Sequence, residues 1–211
     1  MAYPISQLTT QERAEIVRIR RSRGFPLHAP PHLIREGGTY LITAATYRHQ
    51  PHLHSPERRS AFEARLCQGM INAEISLHAW VVLPNHYHVL VELLQLDQLS
   101  QVLKTLHSGT SFEWNREDGC PGRRVWYRYY DRRIRSDQHF MQALNYIHAN
   151  PAKHGYCEQA REWVWSSLPA YFDVEGAEWL SDQWRVFRPT DDFGIGWDDM
   201  PERLVGRVGD D

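Results

Sequence analysis

The stretch from Ile75 to Leu94 constrains the fold of this chain most. It holds two runs, ISLHAWVVL and HYHVLVELL, both rich in β-branched and aromatic residues and separated only by Pro84-Asn85. Two strand-like runs joined by a two-residue link make an antiparallel hairpin. Because successive side chains in a strand point to opposite faces, the pattern also sorts residues by face. His86 and His88 share one face, and Tyr87 points the other way, into the packed side.

The flanking segments extend this hairpin into a larger pattern. Thr39 to Tyr47 (TYLITAATY) reads as a first strand, bounded by Gly37-Gly38 before it and by His49, Gln50 and Pro51 after it. Ser55-Pro56 supplies a cap and a first-turn proline. Phe62, Leu66 and Met70 then recur at helical spacing up to about Glu74. After the hairpin, Asp97 is placed to cap a helix carrying Leu99, Val102, Leu103 and Leu106 on one face. Residues 115 to 124 read as loop and Val125 to Tyr130 (VWYRYY) as a fourth strand. Ser136 caps a further helix with Phe140, Leu144 and Ile147 on one face, expected to end by Asn150 because Pro151 disfavours helical geometry before it. The order β-α-β-β-α-β plus one helix predicts an α+β, ferredoxin-like fold: a four-stranded antiparallel sheet with helices on one face, then a further helix.

Length and composition fit this reading. At 211 residues, 42% hydrophobic and 24% charged, the chain suits one globular domain with extensions. Three parts are expected: an N-terminal basic arm over 1–36, a main domain over 37–172, and an acidic, loosely packed extension over 173–211. No apolar run approaches the roughly 18 residues of a membrane span, and the N-terminus lacks a signal-like apolar block, so a cytoplasmic protein is expected. The three cysteines show no metal-type spacing. Residues 1–172 hold 20 Lys and Arg against 15 Asp and Glu, a net +5, and 173–211 hold 4 against 11, a net −7. A basic body suggests a polyanionic partner, which an acidic tail could shield; a tail acidic only because it is solvated is the plainer alternative.

Two segments could carry chemistry. His86 and His88 present two imidazoles on one face, suited to sharing one metal ion with one or two ligands from elsewhere; an incidental histidine pair is the competing account. In the segment NYIHANPAKHG, Tyr146 and Asn150 lie one helical turn apart, off the face holding Phe140, Leu144 and Ile147. The amide oxygen could complete a hard metal site and the phenol could act as a nucleophile beside it. A buried tyrosine with an asparagine at the helix C-terminus explains the same residues without chemistry.

Taken together, the two segments resemble the HUH single-tyrosine transposases, and most of all the REP-associated tyrosine transposases. The resemblance rests on the Leu-Pro turn before His86-Tyr87-His88 and on the later Tyr-Ile-x-x-Asn-Pro-x-Lys-His-Gly segment. Supporting matches are Ala79 to Pro84, Trp126 to Tyr130 followed by Ile134-Arg135, and Trp165-Ser166-Ser167. It spans about residues 37–172. One departure is Asn85, where the family often has an acidic residue. The resemblance implies cleavage of single-stranded DNA beside a hairpin formed by a palindromic, REP-like repeat, through a 5′-phosphotyrosine intermediate, with release of a 3′-OH. It implies Tyr146 as the nucleophile and His86, His88 and Asn150 as ligands of Mg2+ or Mn2+. It leaves open a monomer or a homodimer, nucleoid-associated when bound to DNA.

A DNA-binding surface is expected from Arg123, Arg124, Arg128, Arg132, Arg133 and Arg135, interleaved with Trp126, Tyr127, Tyr129 and Tyr130, a mixture suited to phosphates and unpaired bases. Lys153 and His154 follow the tyrosine helix and could meet the cleaved phosphate. Arg20 and Arg21 in the N-terminal arm are candidates for hairpin contacts. The competing functions are a hairpin-binding protein that does not cut and an RRM-like RNA-binding module. The second lacks any Lys/Arg-Gly-Phe-Gly-Phe run.

Overall fold

A computed structural model of the protein describes residues 37–189 and 193. The N-terminal arm with Arg20 and Arg21, and most of the acidic tail beyond 189, lie outside the described residues. The elements run β1 (Gly38–Ala45), a 3-10 turn (Tyr47–His49), α1 (Pro56–Asn72), β2 (Ser76–Val82), β3 (His86–Leu93), α2 (Leu96–Glu117), β4 (Tyr130–Arg133), α3 (Asp137–Lys153), a 3-10 turn (Ala160–Glu162) and α4 (Leu168–Val186).

The four strands form one antiparallel sheet in the order β2-β3-β1-β4, the ferredoxin-like arrangement expected from the sequence. Strand parity builds two cores. Tyr40, Ile42 and Ala44 of β1 with Tyr87, Val89 and Val91 of β3 face α1 and α2, where Phe62, Leu66, Met70, Leu99, Leu103 and Trp114 close the larger core. Leu41, Ala79, Val81 and Leu90 face the other way, against Ala143, Leu144, Tyr146 and Ile147 of α3. Each fully buried Leu, Phe or Met contributes roughly 1.5–3 kcal/mol, so this alternation of apolar side chains fixes the register.

The helices begin where the sequence places them. The Ser55 hydroxyl accepts from the Arg58 N–H (3.2 Å), with Pro56 at the first turn, and the Ser136 hydroxyl accepts from the His139 N–H (3.1 Å). Their ends differ from expectation. Helix α2 starts at Leu96, with Asp97 in its first turn rather than as its cap, and runs to Glu117, through residues expected to be loop. Helix α3 continues past Pro151 to Lys153. A proline close to a helix end costs one carbonyl its donor, and the chain leaves one turn later through Gly155 (φ +71°). There Tyr156 N–H donates to the Pro151 carbonyl (2.9 Å) and Gly155 N–H to the Ala152 carbonyl (3.0 Å), the two bonds of a Schellman terminus.

Two further expectations are corrected. The fourth strand is Tyr130–Arg133, not Val125–Tyr130; Trp126 makes only an isolated bridge to Thr46. The stretch beyond residue 172 is not loosely packed up to Val186, because α4 crosses the expected boundary. Its Leu168 and Leu180 are buried with Ala160, and Trp179 packs beside them. The buried Asn145 of α3 donates its amide to the Gln183 and Phe187 carbonyls (3.0 and 2.8 Å), tying α4 to α3. Helix α4 is kinked at Gly176 (φ +82°, ψ 167°), a backbone essentially reserved for glycine. Among the described residues no helix is long and apolar enough to cross a membrane.

Candidate functional site

His86 and His88 lie on the α3 side of β3, as alternation requires, with ring centroids 5.1 Å apart. Helix α3 crosses this face and brings its own polar side chains to them. Asn150 Oδ1 is 3.3 Å from His86 Nε2, and the Tyr146 hydroxyl is 3.5 Å from His88 Nε2. The four residues, 64 and 58 positions apart in the two pairs, form one cluster that is almost fully buried, between 0% and 3% exposed. Helix α3 is therefore not divided into a packing face and a chemical face. Leu144, Tyr146, Ile147 and Asn150 are all buried, because α3 lies between the sheet and α4.

The far sides of both imidazoles are held. Thr43, the register partner of His88 on β1, has its hydroxyl 2.7 Å from His88 Nδ1. Asn85 Oδ1 is 2.7 Å from His86 Nδ1. His86 thus has an amide oxygen at each ring nitrogen, whereas a neutral imidazole carries one N–H. With that proton at the shorter contact, toward Asn85, the Nε2 lone pair points at the Asn150 oxygen. A cation relieves two lone pairs facing each other in a buried site, as does an Asn150 amide turned over so that its Nδ2–H donates to Nε2. The Asn150 Nδ2 is buried with no hydrogen-bond partner.

The donor set of two imidazole nitrogens and one amide oxygen therefore fits a divalent ion, with oxygen-seeking Mg2+ and Mn2+ suited to the amide and to phosphate. His86, His88 and Asn150 could hold it. Among the described residues no group of three His, Cys, Asp or Glu side chains is placed to hold a metal, so substrate oxygens or water would have to complete this set.

Around the cluster, the His154 ring is 5.1 Å from that of His86, and Lys153 Nζ is 5.2 Å from the centre of the Tyr146 ring. Phe193 stacks on Tyr146 at 5.4 Å and carries the Arg132 guanidinium at 5.1 Å from its centre. His148, two residues after the tyrosine and so on the opposite side of α3, lies away from the cluster. It is buried against the Ser167 hydroxyl (2.9 Å), and burial pushes its pKa down to about 3.

The expected DNA-binding residues divide. Lys153 and His154 join the site, and Arg128 and Arg135 are exposed. Arg133 is half-buried on β4, opposite Tyr40. Arg124 lies over the Tyr47 and Tyr127 rings, 4.8 and 5.5 Å from their centres. Arg123 is instead a structural clasp, held by Asn115 (3.0 Å) and Asp118 (2.6 Å); with Arg58 bound on its other side, the Asp118 carboxyl is drawn down to about 2. Trp126 is not a surface for bases. It is buried in the larger core, stacked on Phe62 and His107, with its indole N–H donating to Thr110 (3.0 Å). Thr43 was not singled out from the sequence, although pairing β1 with β3 puts it opposite His88. Phe193 carries no sequence signal at all.

Fold and site together define an α+β domain of ferredoxin-like topology with a buried strand histidine pair against a helical tyrosine and asparagine. No protein-family model matches the chain. In sequence it is similar to REP-associated tyrosine transposases. It is 29% identical over 167 residues to one from Haemophilus influenzae, covering 71% of this chain and 88% of that protein. It is 24% identical over 139 residues to the Escherichia coli one, covering 63% and 78%. In fold it is similar to a solved REP-associated tyrosine transposase bound to a REP hairpin, with a TM-score of 0.58 and 21% identity over 72% of this chain and 88% of that one.

Proposed function

We propose that this protein is a transposase-like DNA endonuclease and strand transferase. It acts on single-stranded DNA beside a REP-like hairpin, through a 5′-phosphotyrosine on Tyr146. The observation that carries this reading is the apposition of Tyr146 and Asn150, on one helix, to His88 and His86, on one strand, in a chain similar to REP-associated tyrosine transposases.

The Tyr146 oxygen attacks the phosphorus, the bond from phosphorus to the 3′-oxygen breaks, and the phenol proton is lost while the leaving oxygen gains one. A phenol has an ordinary pKa near 10, so charge on its oxygen must be stabilised as the bond forms. The Lys153 ammonium, beside the Tyr146 ring, contributes to this. His86, His88 and Asn150 would hold Mg2+ or Mn2+, which when bound would supply Lewis acidity to the scissile phosphate. Burial of Tyr146 against Phe193 limits the rotamers of the nucleophile, and helix α3 sets its direction of attack. The phosphotyrosine retains the bond energy, so attack by another 3′-OH rejoins strands.

The test is incubation of the full chain with labelled single-stranded oligonucleotides from the repeats flanking its own gene, with Mn2+, Mg2+ or EDTA, followed by denaturing gels. A metal-dependent protein–DNA adduct that disappears in Tyr146→Phe is expected. An adduct persisting in Tyr146→Phe would remove Tyr146 from its role. Tight hairpin binding without an adduct under any metal would make the protein a hairpin-binding regulator instead.

A further inference from the structure

Just beyond the β1 end that pairs with His86, the chain builds an arrangement that the cleavage chemistry does not use. The half-buried rings of Tyr47 and Tyr127 lie 5.0 Å apart, and the Arg124 guanidinium sits over both. The backbone fixes this pair. Tyr47 N–H donates to the Val125 carbonyl (2.7 Å), Tyr127 N–H donates to the Ala45 carbonyl (2.9 Å), and Thr46 and Trp126 form a bridge between them. Arg124 Nε is anchored on the Trp126 carbonyl (3.3 Å).

Arg48 and His49 follow, both with left-handed backbone (φ 55° and 52°), which residues other than glycine rarely adopt and which clusters at functional sites. This bend sets the Arg48 guanidinium 5.5 Å from the Tyr47 ring centre, and the His49 ring lies 6.2 Å from that of Tyr127. Among the described residues, Arg48, Arg124 and exposed Arg128 have no carboxylate partner, in contrast to Arg58, Arg65 and Arg123. A rigid aromatic pair with the uncompensated Arg124 and Arg48 guanidinium groups against it suits a flat π-system attached to an anion.

We propose that Tyr47, Tyr127 and Arg124 form a seat for one unpaired base of the single strand, with Arg48 and Arg128 holding its adjoining phosphates. This rests on the single-stranded DNA reading above and adds a base-binding site to it. The placement suits the partner. Ala45 pairs with His86, and Tyr47 is two residues further, roughly 7 Å of extended chain. Thr46 N–H donates to the Asn85 carbonyl (2.8 Å), next to His86, and its hydroxyl is shared between the Gln50 (2.6 Å) and Asn85 (2.9 Å) carbonyls. A strand with one phosphate at the histidines thus has a neighbouring nucleotide within reach of the rings. Stacking engages the π-face that every base has, so the seat takes any base.

The test measures binding of the full chain to a fluorescein-labelled oligothymidylate of about twelve nucleotides and to an abasic strand of the same length. The wild type should prefer oligothymidylate. The double variant Tyr47→Leu/Tyr127→Leu should lose about tenfold or more of that affinity with the abasic strand unaffected, and Tyr47→Phe/Tyr127→Phe should retain it. Arg48→Ala/Arg128→Ala should weaken both strands. A strand carrying 5-iodouracil should photocross-link to Tyr47 or Tyr127 in the wild type, which decides the matter should the leucine pair fail to fold. Equal wild-type affinity for the two strands, undiminished oligothymidylate binding by a folded leucine pair, or cross-links only elsewhere would overturn the seat. A Tyr47 or Tyr127 cross-link in a protein that forms no Tyr146 adduct would leave the seat standing and sink the cleavage reading. A Tyr146 adduct formed at wild-type level, with undiminished binding, by the leucine pair would do the reverse.

Discussion

The Thr43 hydroxyl lies 2.7 Å from Nδ1 of His88, directly across the β1–β3 pairing. When Nδ1 carries the ring proton and donates it to Thr43, the Nε2 lone pair is left pointing toward Tyr146. In that tautomer a residue on a neighbouring strand holds the ring and leaves Nε2 of His88 available.

Thr43→Val keeps the β-branched shape and removes that hydroxyl. The expected outcome is a 10- to 100-fold loss of Mn2+ affinity or of adduct yield, with a folded protein whose circular dichroism spectrum is unchanged. Titration with Mn2+ by calorimetry checks it, and unaltered affinity would detach Thr43 from the site.

Trp126→Ala should cost about 3–5 kcal/mol of stability, the usual penalty for emptying an aromatic position in a core. In contrast with a DNA-contact residue, its hairpin affinity at a temperature where the variant remains folded should match the wild type. Trp126→Phe, which loses mainly the bond to Thr110, should fall between. Urea unfolding and hairpin binding, measured in parallel, separate the two roles.

Two buried histidines make stability fall with acid. Burial pushes His107 down to about 4 and His148 down to about 3, from an ordinary value of 6.5. Below about pH 6.5 the unfolded chain takes up protons that the folded chain refuses, so their contribution is complete above the unfolded value and is lost as pH falls toward the folded ones. The slope is at most about 1.4 kcal/mol per pH unit for each. Urea melts at about pH 7 and about pH 5 should show the drop, and His107→Gln and His148→Gln should each flatten it. Parallel curves for variants and wild type would remove these residues as the cause.

Two glycines should respond to alanine with opposite signs. At Gly176 the positive φ at the α4 kink makes a side chain cost about 1–3 kcal/mol, although no atom lies within 4 Å of an added Cβ. Gly109 sits inside α2, also with nothing within 4 Å, so Gly109→Ala should gain roughly 0.5–1 kcal/mol. Thermal melts of the two variants test the pair together.

What could be read beforehand follows from how far each signal is local. Alternation in HYHVLVELL put His86 and His88 on one face and Tyr87 on the other, and the i, i+4 spacing paired Tyr146 with Asn150. Both are properties of one element. The sequence points to the wrong fourth strand because VWYRYY has the stronger β character, yet Val125 and Trp126 complete the larger core. Tyr130–Arg133 is a half-buried edge strand with no alternation to betray it. Helix α4 is not legible in the sequence because its apolar residues are interrupted at Gly176, and its packing depends on Asn145, far away in sequence. The end of α3 was set by a glycine-based terminus rather than by the proline before it. The role of Thr43 needed the pairing of two strands, which neither strand states alone.

The link between β2 and β3 is only Leu83-Pro84-Asn85, closed by Leu83 N–H donating to the His86 carbonyl at 2.9 Å. Even-numbered positions at the start of β3 belong to the chemistry and odd-numbered ones to the hydrophobic interior. One inserted or deleted residue here would trade the two assignments, sending the imidazoles toward Phe62 and leaving the Tyr87 phenol facing Tyr146. The loop from Asp118 to Tyr129 can change length without disturbing that parity. This hairpin thus tolerates exchange of its residues but not a change in their number.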